Sequence, residues 1–189
     1  MGARDILSTD SGAKREGLKE VAKRNGATDA RIMSAEKVVV RNWVRLKCQF
    51  GCDDYGRRLT CPPYSPTPEE FRKILSEYRW VMIMQFGGSP SGNVNEVVAY
   101  MNSVHERSVR VEREAFLQGF YAAFALASGP CPNCSPCNIE GCKNPFVARP
   151  SMEGCGVDVY STVRNAGFEI NVVRDTSAKP TFYSMLLVE

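Results

Sequence analysis

Residues 13–25, "AKREGLKEVAKRN", read as a short amphipathic helix that Gly26 brings to a stop. The next stretch, "ARIMSAEKVVVRNWVRLKC" (30–48), is rich in β-branched residues and partly alternating, which predicts one or two strands running into Cys48. "CPPYSPTPEEF" (61–71) then interrupts regular structure with four prolines and starts a helix over about 68–78. Thr67 is placed as its N-cap, Pro68 at its first position, and Glu70 three residues after the cap. The continuous apolar run "RWVMIMQF" (79–86) predicts a buried strand.

After the loop "GGSPSGN", a helical pattern occupies 93–127, with Val94, Val97, Val98, Met101, Val104, Phe116, Phe120, Tyr121 and Phe124 as its apolar positions. Glu106–Arg110 and Arg110–Glu114 sit at the i,i+4 spacing that supports a helix. Unbroken, it would be about 50 Å long at about 1.5 Å per residue, so a break near Gly119 is expected. Ser151 is placed as the cap of a helix reaching Asn165, and "FEINVVR" and "TFYSMLLVE" as two closing strands. The order predicts an α/β protein: one domain over residues 1–189, with a single mixed sheet, flanking helices and irregular loops at about 48–66 and 129–155.

Composition adds little until the cysteines are counted. The 189 residues are 43% hydrophobic, enough for a core, and no apolar run is long enough to suggest a transmembrane helix. The polar start lacks the apolar centre of a signal peptide, which predicts a cytoplasmic protein without a membrane partner. Net charge is +3, with thirteen Lys/Arg against eight Asp/Glu in residues 1–61 and eleven against thirteen afterwards. That asymmetry is too mild, and too poor in interleaved aromatics, for nucleic-acid binding. Oligomeric state is not readable from the chain.

Eight cysteines and a single histidine mean that any metal site must be built almost wholly from thiolates. Disulfides are disfavoured by the expected reducing compartment and by the restrictive geometry of close pairs. "GPCPNCSPCNIEGC" (129–142) has the spacing C-x2-C-x2-C-x4-C, with Pro130, Pro132 and Pro136 interleaved to deny a helix. Two-residue gaps let a loop curl round one centre, close to the C-x2-C-x2-C-x3-C run that holds a 4Fe–4S cluster in bacterial ferredoxins. The longer last gap leaves open whether Cys142 completes this cluster or reaches another. Zinc is the alternative, although it prefers two C-x2-C knuckles on separate arms.

Cys48, Cys52 and Cys61 form a second group, C-x3-C-x8-C, one ligand short of a cubane. Cys155 is the candidate fourth ligand. Otherwise it is a small buried residue, and the cluster has one open iron that could act as a Lewis acid. Two 4Fe–4S clusters would use all eight thiols. Lys47, Arg57, Arg58, Lys143 and Arg149 lie near cysteines in sequence, where positive charge would favour the more negative reduced state. Weaker signals are a Gly87–Gly92 loop without the Lys-Ser/Thr of a P-loop, a turn at Asp53–Asp54, and His105 on an expected surface helix.

Together, "CPPYSPTPEEF", "GPCPNCSPC" and "RPSMEGCGVDV" resemble a family of predicted metal-binding proteins (domain of unknown function 2284) of archaea and anaerobic bacteria, over most of residues 45–175. The resemblance implies metal binding in an anaerobic setting and points to Cys48, Cys52, Cys61, Cys131, Cys134, Cys137 and Cys142 as ligands. Cys155 falls inside the third matching segment. The expectation is an iron–sulfur protein with two 4Fe–4S clusters, passing electrons to a partner protein. An open-iron enzyme and a zinc-stabilised interaction module are the alternatives.

Overall fold

A computed structural model describes residues 3–88, 93–173 and 179–189, with backbone only for residues 3–11. Its regular elements are α1 (Ala3–Arg24), β1 (Asp29–Ser34), α2 (Trp43–Gly51), α3 (Pro68–Leu75), β2 (Trp80–Phe86), α4 (Val94–Leu117), β3 (Phe124–Leu126), α5 (Val159–Asn165) and β4 (Phe182–Leu187). Short 3-10 turns cover Ala35–Lys37 and Glu153–Cys155. The four strands make one sheet in the order β1-β2-β4-β3. All three pairings are antiparallel, where a mixed sheet was expected. β2 and β3 run the same way across the α4 crossover, but β4 lies between them and opposes both.

Strand alternation sends Val81, Ile83, Met185 and Leu187 into one core, with Phe71 and Leu75 of α3 and Val163 of α5. Met82, Met84, Phe86 and Leu186 face a second core with Leu18, Val21 and Ala22 of α1 and Val104, Val111 and Ala115 of α4. β2 is therefore apolar on both faces, which is why its sequence shows no period of two. A side chain such as Leu186, wholly buried at the sheet centre, contributes roughly 1.5–3 kcal/mol by leaving water. Ser184, equally buried, is satisfied by Ser108 Oγ at 2.9 Å.

Several expected elements hold. The Thr67 cap is a full capping box, with Glu70 N–H donating to Thr67 Oγ1 and Thr67 N–H to Glu70 Oε2. Gly26 ends α1 at a positive φ of 91°, although the helix begins earlier, at Ala3. α4 ends at Leu117, just before Gly119. Beyond that break the expected helix is replaced by β3, and Glu114 binds Arg24 and Asn25 rather than Arg110.

Three expectations are corrected. Residues 43–51 form a helix, not a strand, so Cys48 sits on α2. The alternation of Val44, Leu46 and Cys48 was coincidental: Leu46 and Phe50 point to solvent, while Trp43, Val44, Lys47 and Cys48 share a helical face. Ser151 does not cap an α-helix; its Oγ accepts from Gly154 N–H in the short 3-10 turn Glu153–Cys155. It bridges to Ala127, and α5 starts later, with Asp158 accepting from Ser161 N–H. Finally, 168–173 is not a strand, since Phe168 turns inward to stack edge-on against Tyr183. Arg174 and the Gly92 end of the candidate phosphate loop lie outside the described residues. No helix among the described residues is long and apolar enough to cross a membrane.

Candidate metal centre

The first cysteine group grows out of α2. Cys48 lies in its body, Cys52 is its C-cap, and Cys61 closes the turn beyond it with its N–H on Arg58 O. This turn is fastened to the 151–157 segment. Arg45 Nη1 donates to Ser65 Oγ, Pro66 O and Gly154 O, and Ser65 Oγ donates to Gly154 O at 2.6 Å. Packing is tight at Gly154, where a Cβ would come within 3.2 Å of Ser151 Oγ and 3.3 Å of Thr60 O, so a side chain there would have to push these neighbours aside. Cys48, Cys52 and Cys61 all line one cavity of about 520 Å³. Its other walls include Trp43, Lys47, Tyr55, Glu153 and Tyr160.

Cys155 is close by in the chain, but its thiol is in the core. It packs with Phe71, Leu126 and Leu187 and lines a different cavity. Burial pushes its thiol up to about 12, and pushes Cys61 to about 12 as well, aided there by the charges of Asp54 and Cys52. Cys48 is raised in the same way, by burial and then by Glu153 and Cys52. Glu153 itself has a fully buried Oε2 with no hydrogen-bond partner, and burial raises its carboxyl above the usual range.

The second group lies on a loop that leaves the sheet after β3 and returns beside its own start, where Ser151 bridges to Ala127. Ala127 N–H donates to Pro150 O, and Met152 N–H to Ala127 O, closing its neck. None of residues 128–150 is buried. Cys131, Cys134, Cys137 and Cys142 nonetheless line a single cavity of about 20 Å³, with Asn133, Asn144 and Lys143 beside them. Two side-chain amides donate to sulfur: Asn133 Nδ2 to Cys131 at 3.3 Å and Asn144 Nδ2 to Cys134 at 3.1 Å. Burial raises the Cys131 thiol, Asn133 opposes that, and Cys142 and Cys134 add to it by repulsion.

The two loops are interleaved. Arg58, Leu59 and Thr60 of the first wall the second cavity, and Gly129 and Pro130 of the second wall the first. Arg58 carries the connection, with Nη1 donating to Cys131 O at 2.8 Å and Cys134 O at 3.0 Å. Burial works against its charge, but Asp54 and the thiolates of Cys61 and Cys131 outweigh that and raise its pKa. Lys47 lines the first cavity and Lys143 the second, whereas Arg57 is exposed and lines neither. Arg149 is paired with Glu112 of α4 and stacks on Phe124, so it anchors the loop's return.

His105, expected on the surface, is 1% exposed. Its Nε2 lies 2.9 Å from Val147 O, which also accepts from Asn133, so it is a second anchor for the loop. Only a lone histidine on a charged stretch was visible in sequence. Val104, Ser108 and Val111 on the same helical face were the available sign of its burial. Asp54, in the expected turn, pairs with Arg58.

The thiols suit a metal for an electrostatic reason. Clustered thiolates repel and resist ionisation, and a positive core reverses that by holding them deprotonated. Residues 31–188 match the family described as "Predicted metal-binding protein (DUF2284)". The chain belongs to this family. No curated protein and no solved structure matches it. Metal binding by this DUF2284 protein therefore rests on family membership together with the two thiol-lined cavities, which contain seven of its eight cysteines.

Proposed function

We propose that the protein binds two 4Fe–4S clusters, one at each cysteine loop, and carries electrons for a partner enzyme. The observation that carries this reading is the pair of interleaved thiol-lined cavities, one with amide donors on its sulfurs. Hydrogen bonds to cluster sulfurs are among the levers that set a potential. Among the described residues, no three Cys, His, Asp or Glu side chains converge tightly enough for a single ion. Sulfurs about 2.3 Å from one zinc would lie roughly 3.8 Å apart. A cubane spreads its thiolates more widely, because each binds a different iron.

When bound, such clusters supply one-electron redox chemistry. The chain's own part is to hold the thiolates, donate hydrogen bonds to them, and keep the two loops in contact. Protein purified without oxygen should be brown and contain about eight iron and eight acid-labile sulfide per chain. Colourless protein with stoichiometric zinc and no sulfide would establish the zinc-stabilised module instead.

One observation favours a second reading for the first site, an open-iron cluster acting as a Lewis acid. Only three cysteines line its cavity, and Cys155 faces the core. This cavity, at about 520 Å³, is also the larger of the two thiol-lined ones. On this reading, the spectrum of the reduced protein shifts when sulfide or a small thiol is added. An unchanged spectrum would leave electron transfer alone.

A further inference from the structure

Arg58 belongs by sequence to the first cysteine loop, between Cys52 and Cys61, yet its guanidinium binds the second. One nitrogen, Nη1, holds the carbonyls of Cys131 and Cys134 together, which fixes the turn presenting two of the second site's thiols. Its Nε donates to Asp54 Oδ1 at 2.5 Å, and that carboxylate sets the direction of the fork. Asp54 comes from the same loop four residues earlier, so both are carried on the turn that positions Cys61. Two of the remaining basic residues near the cysteines, Lys47 and Lys143, each line one cavity, and Arg149 is neutralised by Glu112.

We propose that Arg58 is a positioning residue for both sites: it clamps the Cys131–Cys134 turn to the first loop, and its charge acts on the thiolates of both loops at once. The potentials of the two sites then move together when this residue changes. The inference rests on the iron–sulfur reading for its redox half only. The clamp needs no metal. The physical basis is that arginine keeps its charge throughout the accessible pH range, and that its planar group holds Asp54 through Nε while Nη1 holds both carbonyls, where a lysine ammonium is a point charge. A fixed positive charge beside a cluster favours the more negative reduced state.

Three substitutions separate charge from geometry. Arg58→Gln removes the charge and should lower both midpoint potentials in an EPR-monitored redox titration. Arg58→Lys keeps the charge and loses the fork, so potentials should stay nearer wild type. Asp54→Asn removes a negative charge and the orienting partner, and should raise both potentials. Opposite signs for Arg58→Gln and Asp54→Asn are the signature of charge, since simple loop damage would move both variants the same way. A shift confined to one site, or the same sign in both variants, overturns the shared electrostatic role.

The clamp is read separately by amide hydrogen exchange in protein stripped of metal. Residues 131–135 should exchange faster in Arg58→Lys and Arg58→Gln than in wild type. Unchanged exchange in both overturns the clamp. Wild-type protein lacking iron and sulfide overturns the iron–sulfur reading itself, and the exchange comparison still decides the clamp. Should an Arg58 variant fail to fold, Asp54→Asn carries the same exchange test, with faster exchange at 131–135 supporting the clamp and unchanged exchange overturning it.

Discussion

The first cysteine site is mounted on elements that fold for their own reasons, whereas the second is mounted on a loop in which nothing is buried. Cys48 rides on α2, Cys61 is itself buried, and the 151–157 segment behind them is part of the sheet-side core. Across 128–150 there is no core, and order depends on a two-bond neck, Arg149–Glu112, His105–Val147 and Arg58. A site of the first kind can exist before metal arrives and leaves a large cavity. A site of the second kind gets much of its folding free energy from its metal–thiolate bonds.

Metal removal is the strongest test of this difference. In metal-free protein, amides of 137–146, beyond the turn that Arg58 holds, should exchange within about tenfold of an unfolded chain, while those of β2 and β4 stay protected. Equal protection of both loops would break the comparison. A smaller effect is expected at Cys155. Cys155→Ala should lose roughly 1 kcal/mol in denaturant unfolding, as a buried sulfur is deleted, with iron content unchanged. Loss of half the iron would mean that this thiol reaches the first site, which is then a four-cysteine site.

The smallest effect concerns His105, whose pKa is lowered mainly by burial. The unfolded chain then binds a proton that the folded protein resists. Stability is kept above the unfolded value of about 6.5 and lost as pH falls below it. His105→Gln retains a donor for Val147 O but cannot charge. Its unfolding midpoint should match the wild-type trend above pH 7 and fall less steeply between about pH 6.5 and 5. Parallel curves would remove His105 from the account of how the second loop is anchored.

Much of this was readable from local chemistry. The Thr67–Glu70 box, the "WVMIMQF" strand and the stop at Gly119 each depend on residues within a few positions of one another. The cysteine groups were visible as spacings. What could not be read depends on tertiary neighbours. Leu46 and Phe50 face solvent on a helix whose other side covers the first cavity, so the alternating sequence around Cys48 looked like a strand. Cys155 looked like a spare ligand because only the folded core, with Phe71 and Leu126, shows where its sulfur lies. Arg58 was one of five nearby cations until its reach to Cys131 and Cys134 set it apart.

The place of β4 between β2 and β3 also sets an order of events during synthesis. All eight cysteines precede Phe182, so every thiol is translated before the strand that closes the sheet. At about 5–20 residues per second, Cys48 waits on the order of ten seconds for that strand. During this interval the thiols are reactive side chains on an unfinished chain. Every thiol, Cys155 included, is thus accessible to metal before β4 can close the core that buries that residue.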